Sequence, residues 1–547
     1  MKESGTSSER ALTLYRNGSV YSTADPLASA MLVDGDTVAW VGTEHAAESI
    51  AGAGMTIVDL DGALVTPGFV DSHVHLSDTG LALQSLDLSG VRSARELLEA
   101  MSAAPTAEGI LRGHSWDESL WDDPALPTAQ ELRRAAGGRE AFLTRVDVHS
   151  ALVTGGLAEA AGATRLEGWS DGPAVSQAAL VSIREAARPS HPEELRSLHR
   201  VALDHAASRG YVALVEQAAP HIGGIDDLRL LLGGEHGDEA RPQVMAYWGQ
   251  LISSAAEGKA LLAELGVPVL GLAGDLNIDG SLGSRTAFLT EEYDDAAGHR
   301  GVAYLDAEQV ARHLAACSEL GIQGGFHVIG DGGLEIALEG LRRASERVGA
   351  SAIRAAGHRL EHAEMASATA IAALAGYAVT VSAQPLFDTA WGAPGHLYER
   401  RLGQRRIGMN PLASFASAGV PVCFGSDSPV CALDPWASVA ACLRHSTPSE
   451  RISARAAFIG HTRAGWRAVH HPHPLMGQLV PGAPASFAVW EVDELMVQVA
   501  DERVQAWSTD PRARTPLLPA LDTENRPRCL STVHRGVELF RAEGFAA

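Results

Sequence analysis

Residues 65–76 read VTPGFVDSHVHL, and the interpretation of the whole chain turns on them. The segment reads as a strand over 65–73 whose end carries His73, Val74 and His75. Side chains alternate along a strand, so both imidazoles face one side, where two ring nitrogens can share one metal ion. An isolated His-x-His carries little weight in a chain with 22 histidines. Its meaning depends on what the rest of the chain brings to the same edge.

Seven further runs read as strands: YVALVEQ (211–217), QVMAYW (243–248), VLGLAGDLNI (269–278), IQGGFHVI (322–329), HRLEHA (358–363), AVTVSAQ (378–384) and VPVCFGSD (420–427). Between them lie helical patterns. Residues 331–348 set Leu334, Ala337, Leu338, Leu341 and Val348 on one face, and 307–319 do the same with Val310, Leu314 and Cys317. Strands alternating with helices build a parallel sheet covered by helices, so the expected class is α/β, a (β/α)8 TIM barrel. The first to the eighth strand spans about 360 residues, and setting aside 78–205 leaves about 235, near the roughly 250 of such barrels. That block is expected to be a large insertion after barrel strand one.

Outside the barrel, residues 11–21, 30–41 and 57–65 are short β-type runs broken at Asn17-Gly18, Asp34-Gly35 and Asp61-Gly62. These dipeptides favour hairpin turns and predict a small antiparallel sheet. SFAVW (486–490), MVQVA (496–500) and VELF (537–540) are expected to pair with it, so that both termini build one small β-sandwich domain. The expected divisions are 1–64 and 472–547 for the two parts of the sandwich and 65–471 for the barrel.

In such a barrel His327 ends strand five, His362 strand six and Asp427 strand eight, at the C-terminal edge where barrel enzymes gather reactive groups. With His73 and His75 they make five potential metal ligands at one mouth. The 43 basic against 67 acidic residues give a net charge of −24, which opposes nucleic acid and anionic lipid and leaves a small molecule as the expected partner. No apolar run reaches spanning length, and the first 20 residues lack a signal-type core, so neither membrane insertion nor secretion is expected. Five cysteines without a Cys-x-x-Cys pair fit reduced thiols in the cytoplasm. No Gly-x-Ser-x-Gly elbow or phosphate-binding loop is present, and oligomeric state leaves no signal in the sequence.

VTPGFVDSHVHL, FHVIGD (326–331), RLEHAE (359–364) and GSDSPV (425–430) resemble the signature segments of the amidohydrolase superfamily. RGHSWDESLW (112–121), RVDVHSALV (145–153), IDGSLGSRTAFL (278–289), SAQP (382–385) and LDPW (433–436) are similar to amidohydrolase family 3, the group that contains N-substituted formamide deformylase. The resemblance covers nearly the whole chain. It implies a metal-dependent hydrolase of non-peptide C–N bonds, an amide or an N-substituted formamide. It also places Trp116, Asp117, Trp121, Arg145, His149, Arg285 and Gln384 at positions for substrate contact, with packing, hydrogen bonding or ion pairing as the competing role for each.

One position departs from the pattern. Relatives of this type commonly carry a lysine, carboxylated to bridge two metals, four residues before the Asp-Gly of DGSLGSR; here that residue is Asp275. The two lysines, Lys2 and Lys259, lie in the N-terminal tail and a helical segment, which rules out such a bridge. Either Asp275 or Glu216, at the end of strand two, supplies a carboxylate to a second ion, or the site holds one ion. The imidazole-rich set favours Zn²⁺ among divalent metals. Asp427 is the candidate general base, and His362 a ligand or the group that polarises the carbonyl. Two other readings stand. One is a mononuclear deaminase of an aminated heterocycle, which does without the lysine. The other is a barrel without turnover that binds or regulates, suggested by Asp275 and by Ser486 in PGAPASFAVW.

Overall fold

The computed structural model describes residues 12–105, 109–170, 172–233, 240–498, 507–508, 516–521 and 526–545. Its centre is a set of parallel strands: β1 (Phe69–Val74), β2 (Tyr211–Ala218), β3 (Gln243–Trp248), β4 (Gly271–Leu272), β5 (Gln323–Val328), β6 (Arg359–His362), β7 (Thr380–Ala383) and β8 (Val422–Phe424). They form two sheets, β3-β2-β1 and β4-β5-β6-β7-β8, parallel throughout. Main-chain bonds cross from one sheet to the other at both margins. The Leu270 N–H donates to the Ala246 carbonyl (2.8 Å), Asp427 N–H to His73 (2.8 Å) and His75 N–H to Ser428 (3.0 Å).

Strands covered on both faces need apolar side chains at successive positions, and every residue of β1, β2 and β5 is buried. The two helices expected from spacing are present as Ala307–Leu320 and Asp331–Val348, burying Val310, Leu314 and Cys317 in one and Leu334, Ala337 and Leu341 in the other. Asp306 and Gln309 form a capping box at the start of the first, and Gly321 closes it in a left-handed conformation. The fourth strand is shorter than its sequence predicts. Only Gly271–Leu272 is regular, because Gly274 at φ +83° turns the chain out of the ladder. Ile278 rejoins through its N–H to the His327 carbonyl (3.0 Å), so Asp275 is carried on a kink.

The terminal segments interleave. Leu64–Pro67 pairs antiparallel with Phe487–Glu491, which pairs with Arg528–His534, and that with Val537–Arg541. A second sheet holds Leu12–Arg16, Ala30–Asp34, Thr37–Gly42 and Thr56–Asp59. It is mixed and not purely antiparallel, because Leu12–Arg16 and Thr56–Asp59 run parallel. Val20, Met31, Val33, Val65, Phe487 and Val489 share one apolar cluster between the sheets. MVQVA behaves differently from its expectation. Leu495–Gln498 pairs with Trp507–Ser508 and Leu518–Pro519, apart from the N-terminal strands, and Val499 and Ala500 lie outside the described residues. Ser486 bonds to His534 Nδ1 (3.1 Å) and accepts the Arg535 N–H (3.1 Å), which accounts for its place in the terminal sheet.

The segment between β1 and β2 contains a five-stranded sheet of its own within residues 86–176. Alternation gives it two apolar faces. Ala141 and Leu143 pack with Leu97, Met101 and Trp121, and Phe142 packs with Leu157, Leu180 and Ile183. Helix Pro192–Ser208 returns to the parallel strands and crosses helix Leu76–Leu83 at Gly80, where a β-carbon would stand 2.2 Å from the Leu198 carbonyl. Among the described residues no helix is long and apolar enough to cross a membrane.

Candidate metal centre

Because the strands all run one way, the ends of β1, β5, β6 and β8 meet. His73 is the last but one residue of β1 and His75 follows the strand, with ring centroids 5.4 Å apart. Asp427 enters from the loop after β8: its Oδ1 lies 3.3 Å from His73 Nε2 and 3.2 Å from His75 Nε2. Asp275 faces the same pair, with Oδ1 3.6 Å from His73 Nε2 and Oδ2 3.2 Å from His75 Nε2. The His362 ring stands 5.1 Å from His73 and 4.5 Å from His327. All six groups are buried. Ligand-type atoms of His73, His75 and Asp427, and likewise of His73, Asp275 and His362, lie within 4.8 Å of one another, a divalent-metal-binding cluster.

The backbone is bent to achieve this. His362 and Asp427 hold left-handed conformations, φ +68° and +56°, which cost a non-glycine residue about 1–2 kcal/mol. On a regular strand Glu361 and His362 would face opposite ways. The left-handed turn at the end of β6 lets both reach His73.

Each imidazole that has a fixed orientation is held from its far side. Glu361 Oε2 accepts a hydrogen bond from His73 Nδ1 (2.8 Å), and Arg359 holds Glu361 through two contacts of 2.5 and 2.9 Å. Gln384 Oε1 accepts from His362 Nδ1 (2.8 Å). Fixing Nδ1 as the protonated nitrogen leaves Nε2 of both rings with a lone pair for a metal. His73 Nε2, His327 Nδ1 and Asp275 Oδ1 are buried without hydrogen-bond partners among the described residues, an arrangement costly unless a further group is present. The donor set, imidazoles and carboxylates, fits a divalent ion.

The electrostatics agree. Burial pulls the His73 imidazolium down, but Asp427 and Asp275 overcome it and push its pKa up to about 10. Burial alone would raise the Asp427 carboxyl, yet His73 and His75 hold it well below the usual carboxylate range. Burial and the neighbouring His362 push His327 down, so it stays neutral and able to ligate. A cation at this position does the work that protons on His73 and His75 do without it.

The structure separates the other sequence candidates. Glu216 is not in the cluster: its Oε2 accepts the Leu76 N–H (2.7 Å), and burial pushes its pKa up to about 7. Asp275, at the lysine position, is in it. Trp116 and Trp121 belong to the core of the inserted sheet, with Trp116 Nε1 donating to the Leu143 carbonyl (2.8 Å). Arg145 is buried and faces Asp117 (2.9 Å), Glu118 (2.8 Å) and Asp147 (3.2 Å), so Asp117 and Arg145 serve each other. Arg285 pairs with Asp295 (2.8 Å), away from the metal cluster. Gln384 orients His362. Of the residues read as substrate contacts only His149 faces the cluster, its ring 5.5 Å from His327.

Sequence reasoning missed Glu361, Arg359 and Asp71. The Asp71 carboxylate accepts the N–H groups of His73 (3.0 Å) and Ser426 (3.0 Å), tying β1 to the loop that carries Asp427. A signal was available for the first two. Arg359 and Glu361 are spaced i, i+2 on one face of a buried strand, where opposite charges are tolerated only as partners.

Two cavities meet at the cluster. A narrow one of about 370 Å³ is bounded by His327, His362 and Asp427 on one side and by Phe387, Trp391 and Tyr398 on the other. A wide one of about 1160 Å³ is bounded by His75, Asp275, Arg184 and Tyr304. His149 borders both. Glu364 lines the narrow cavity, accepts a hydrogen bond from the Tyr398 hydroxyl, and has its pKa pushed by burial up to about 8.

Known proteins with this pattern are distant but extensive. The chain is 26% identical over 518 residues to Protein LONG AFTER FAR-RED 3 of Arabidopsis thaliana, covering 87% of this chain and 86% of that protein. It is 23% identical over 451 residues to N-substituted formamide deformylase of Arthrobacter pascens, with 76% and 80% covered. Among solved structures, an uncharacterised metal-dependent hydrolase from Pyrococcus horikoshii OT3 superposes with a TM-score of 0.70 at 24% identity, covering 88% of this chain and 98% of that one. The profile described as the amidohydrolase family matches residues 56–540. With that match over most of its length and a histidine–aspartate metal cluster at its strand ends, the chain belongs to the amidohydrolase family, as a metal-dependent hydrolase acting on C–N bonds.

Proposed function

We propose that the protein hydrolyses a non-peptide amide, or an N-substituted formamide, at a single divalent ion held by His73, His75, Asp275, His362 and Asp427, with His327 beside it. In this reading the two parallel sheets are one closed (β/α)8 barrel of residues 65–471, residues of about 78–205 are its insertion, and 1–64 with 472–547 make a β-sandwich. The main-chain bonds across both sheet margins support the closure. Zn²⁺ suits the donor set best.

The observation that carries the proposal is His73 Nε2. It belongs to both ligand groupings, and its ring's other nitrogen is committed to Glu361. One nitrogen binds one ion, so the two groupings are halves of one site, and Asp275 serves that ion in place of a bridging lysine. A divalent ion held there would supply Lewis acidity and make water a competent nucleophile near neutral pH. The chain's own groups do the rest. Asp427, kept ionised by His73 and His75, accepts the proton of the attacking water and passes it to the departing nitrogen, so that an amide and water become a carboxylic acid and an amine. Glu361 and Gln384 hold the ring protons of His73 and His362 on Nδ1. Phe387 and Trp391 keep solvent from the narrow side. The five cysteines are all unpaired, which supports a reducing, cytoplasmic setting.

Plasma mass spectrometry on protein purified without chelator, combined with assay of N-benzylformamide and short-chain amides, tests the reading. About one ion per chain is expected, with release of carboxylate and amine and loss of both ion and turnover in His73→Ala. Two ions would overturn the single-ion site. Ammonia as the product from an aminated heterocycle, with all amides inert, would replace the reaction with deamination.

A further inference from the structure

The two ligand groupings contain three imidazoles, and they are not oriented alike. Glu361 holds His73 Nδ1 and Gln384 holds His362 Nδ1, but His75 Nδ1 is buried without a hydrogen-bond partner among the described residues. His75 Nε2 nevertheless stands 3.2 Å from Asp275 and 3.2 Å from Asp427. With nothing bonded behind the ring, its place depends first on where the main chain carries it. His75 is the residue before helix Leu76–Leu83, and its own side chain does not cap that helix.

Successive residues from His75 onward are gripped by separate parts of the molecule. The His75 N–H donates to the Ser428 carbonyl after β8 (3.0 Å). The Leu76 N–H donates to Glu216 Oε2 on β2 (2.7 Å), where a carboxylate satisfies a donor that the start of a helix leaves orphaned. Ser77 donates its hydroxyl to Asp227 Oδ2 (2.7 Å) on helix Gly224–Leu232. His199, on helix Pro192–Ser208, brings Nε2 within 2.8 Å of Asp227 Oδ1 and 2.9 Å of Ser77 Oγ. Asp78 pairs with Arg188, which follows helix Gln177–Ala187 of the inserted segment. Ser77, His199, Glu216 and Asp227 are all buried. A buried carboxylate offsets its desolvation only with well-placed donors, and Asp227 finds one of them on the turn behind His75.

We infer that Asp227, clamped to Ser77 with His199, is a positioning residue of the metal centre: it sets the first turn of helix Leu76–Leu83 and, through that turn, the place of His75 Nε2. Glu361 does the same for His73 by direct contact. The inference rests on His75 being a ligand of the ion, and the test separates the two. Metal-free protein is titrated with Co²⁺, whose visible absorption bands report ligand geometry, and affinity is read by competition with a chelator. Ser77→Ala, which removes one hydroxyl, is expected to weaken Co²⁺ binding by roughly tenfold and to shift the bands. Asp227→Asn is expected to weaken it at least as much, and the double variant no more than the stronger single one, because both break one clamp. Arg145→Met, destabilised elsewhere, is expected to keep the wild-type affinity and bands, so that general loss of stability does not account for the shift. Unchanged affinity and bands in Ser77→Ala overturn the inference, as do additive losses in the double variant or an equal loss in Arg145→Met. If Asp227→Asn does not fold, Ser77→Ala decides alone. His75→Ala checks the underlying reading: Co²⁺ bound as tightly as by the wild type removes His75 from the ligand set and the inference with it, whereas loss of the ion there with Ser77→Ala unchanged overturns the inference alone.

Discussion

Two knots of buried charge stand close together in this protein, and they are built on opposite terms. Around Arg145, in the inserted segment, each side of the guanidinium faces an acid: Asp117, Glu118 or Asp147. Asp147 in turn receives the hydroxyls of Ser281 (2.7 Å) and Ser284 (2.9 Å), which joins the insert to the loop after β4. At the strand ends His73 Nε2, His327 Nδ1 and Asp275 Oδ1 lack hydrogen-bond partners, as Arg145 Nη1 and Asp147 Oδ1 do in the first knot, where guanidinium and carboxylate still face each other at 3.2 Å. Charges that satisfy one another hold structure together. Charges held in place from behind and left open in front await a ligand.

This contrast can be broken by substitution. The largest effect is expected from Asp427→Asn, which keeps an oxygen at the cluster but cannot accept a proton. Its kcat should fall by roughly 10³-fold or more, within the range of general acid–base losses, with the melting temperature little changed. Arg145→Met should do the reverse, destabilising the protein by about 3 kcal/mol in denaturant titration by leaving buried acids unpaired, with metal content retained. If Arg145→Met instead abolished metal binding with the fold intact, the two knots would be one functional unit.

Glu361→Gln sits between them. It releases the clamp on His73 Nδ1, and metal affinity measured by competition with a chelator should weaken by roughly 10- to 100-fold. The smallest effect is expected at Glu364. Burial raises its folded pKa from 4.5 to about 8, so its neutral form is favoured in the fold. The stabilisation is complete below pH 4.5 and is lost as pH rises toward 8. Glu364→Gln should therefore flatten the decline in melting temperature between pH 6 and pH 8 by about 2 °C, read by calorimetry across that window.

The fold was legible wherever periodicity was strong. The strand positions of β1 to β8 and both long helices lie where the spacing put them. Periodicity failed at β4, where a glycine with positive φ ends regular pairing after two residues, and at MVQVA, whose partners are set by tertiary pairing. The inserted sheet left little trace because its short strands alternate around packing that only the folded chain reveals. That His73, His75, His327, His362 and Asp427 gather at one edge was legible because strand ends in a parallel sheet share that edge. Trp116, Asp117 and Arg145 each carried two readings in sequence, substrate contact or a packing and ion-pairing role. Asp117 and Arg145 are 28 residues apart, and a local motif cannot show that two such charges will find each other. His362 and Glu361 show the limit from the other side. Neighbours in sequence, they reach one target only through a backbone angle that no alternation rule contains.

The pairing of Leu64–Pro67 with Phe487–Glu491 has a consequence for how the protein is made. Leu64–Pro67 leads through Gly68 directly into β1, and the Gly68 N–H donates to the Ser486 carbonyl (3.1 Å). On a ribosome the strand that carries His73 emerges hundreds of residues before the segment that anchors it. The strand that carries the first two histidines of the metal site is therefore anchored only after that later segment has left the ribosome.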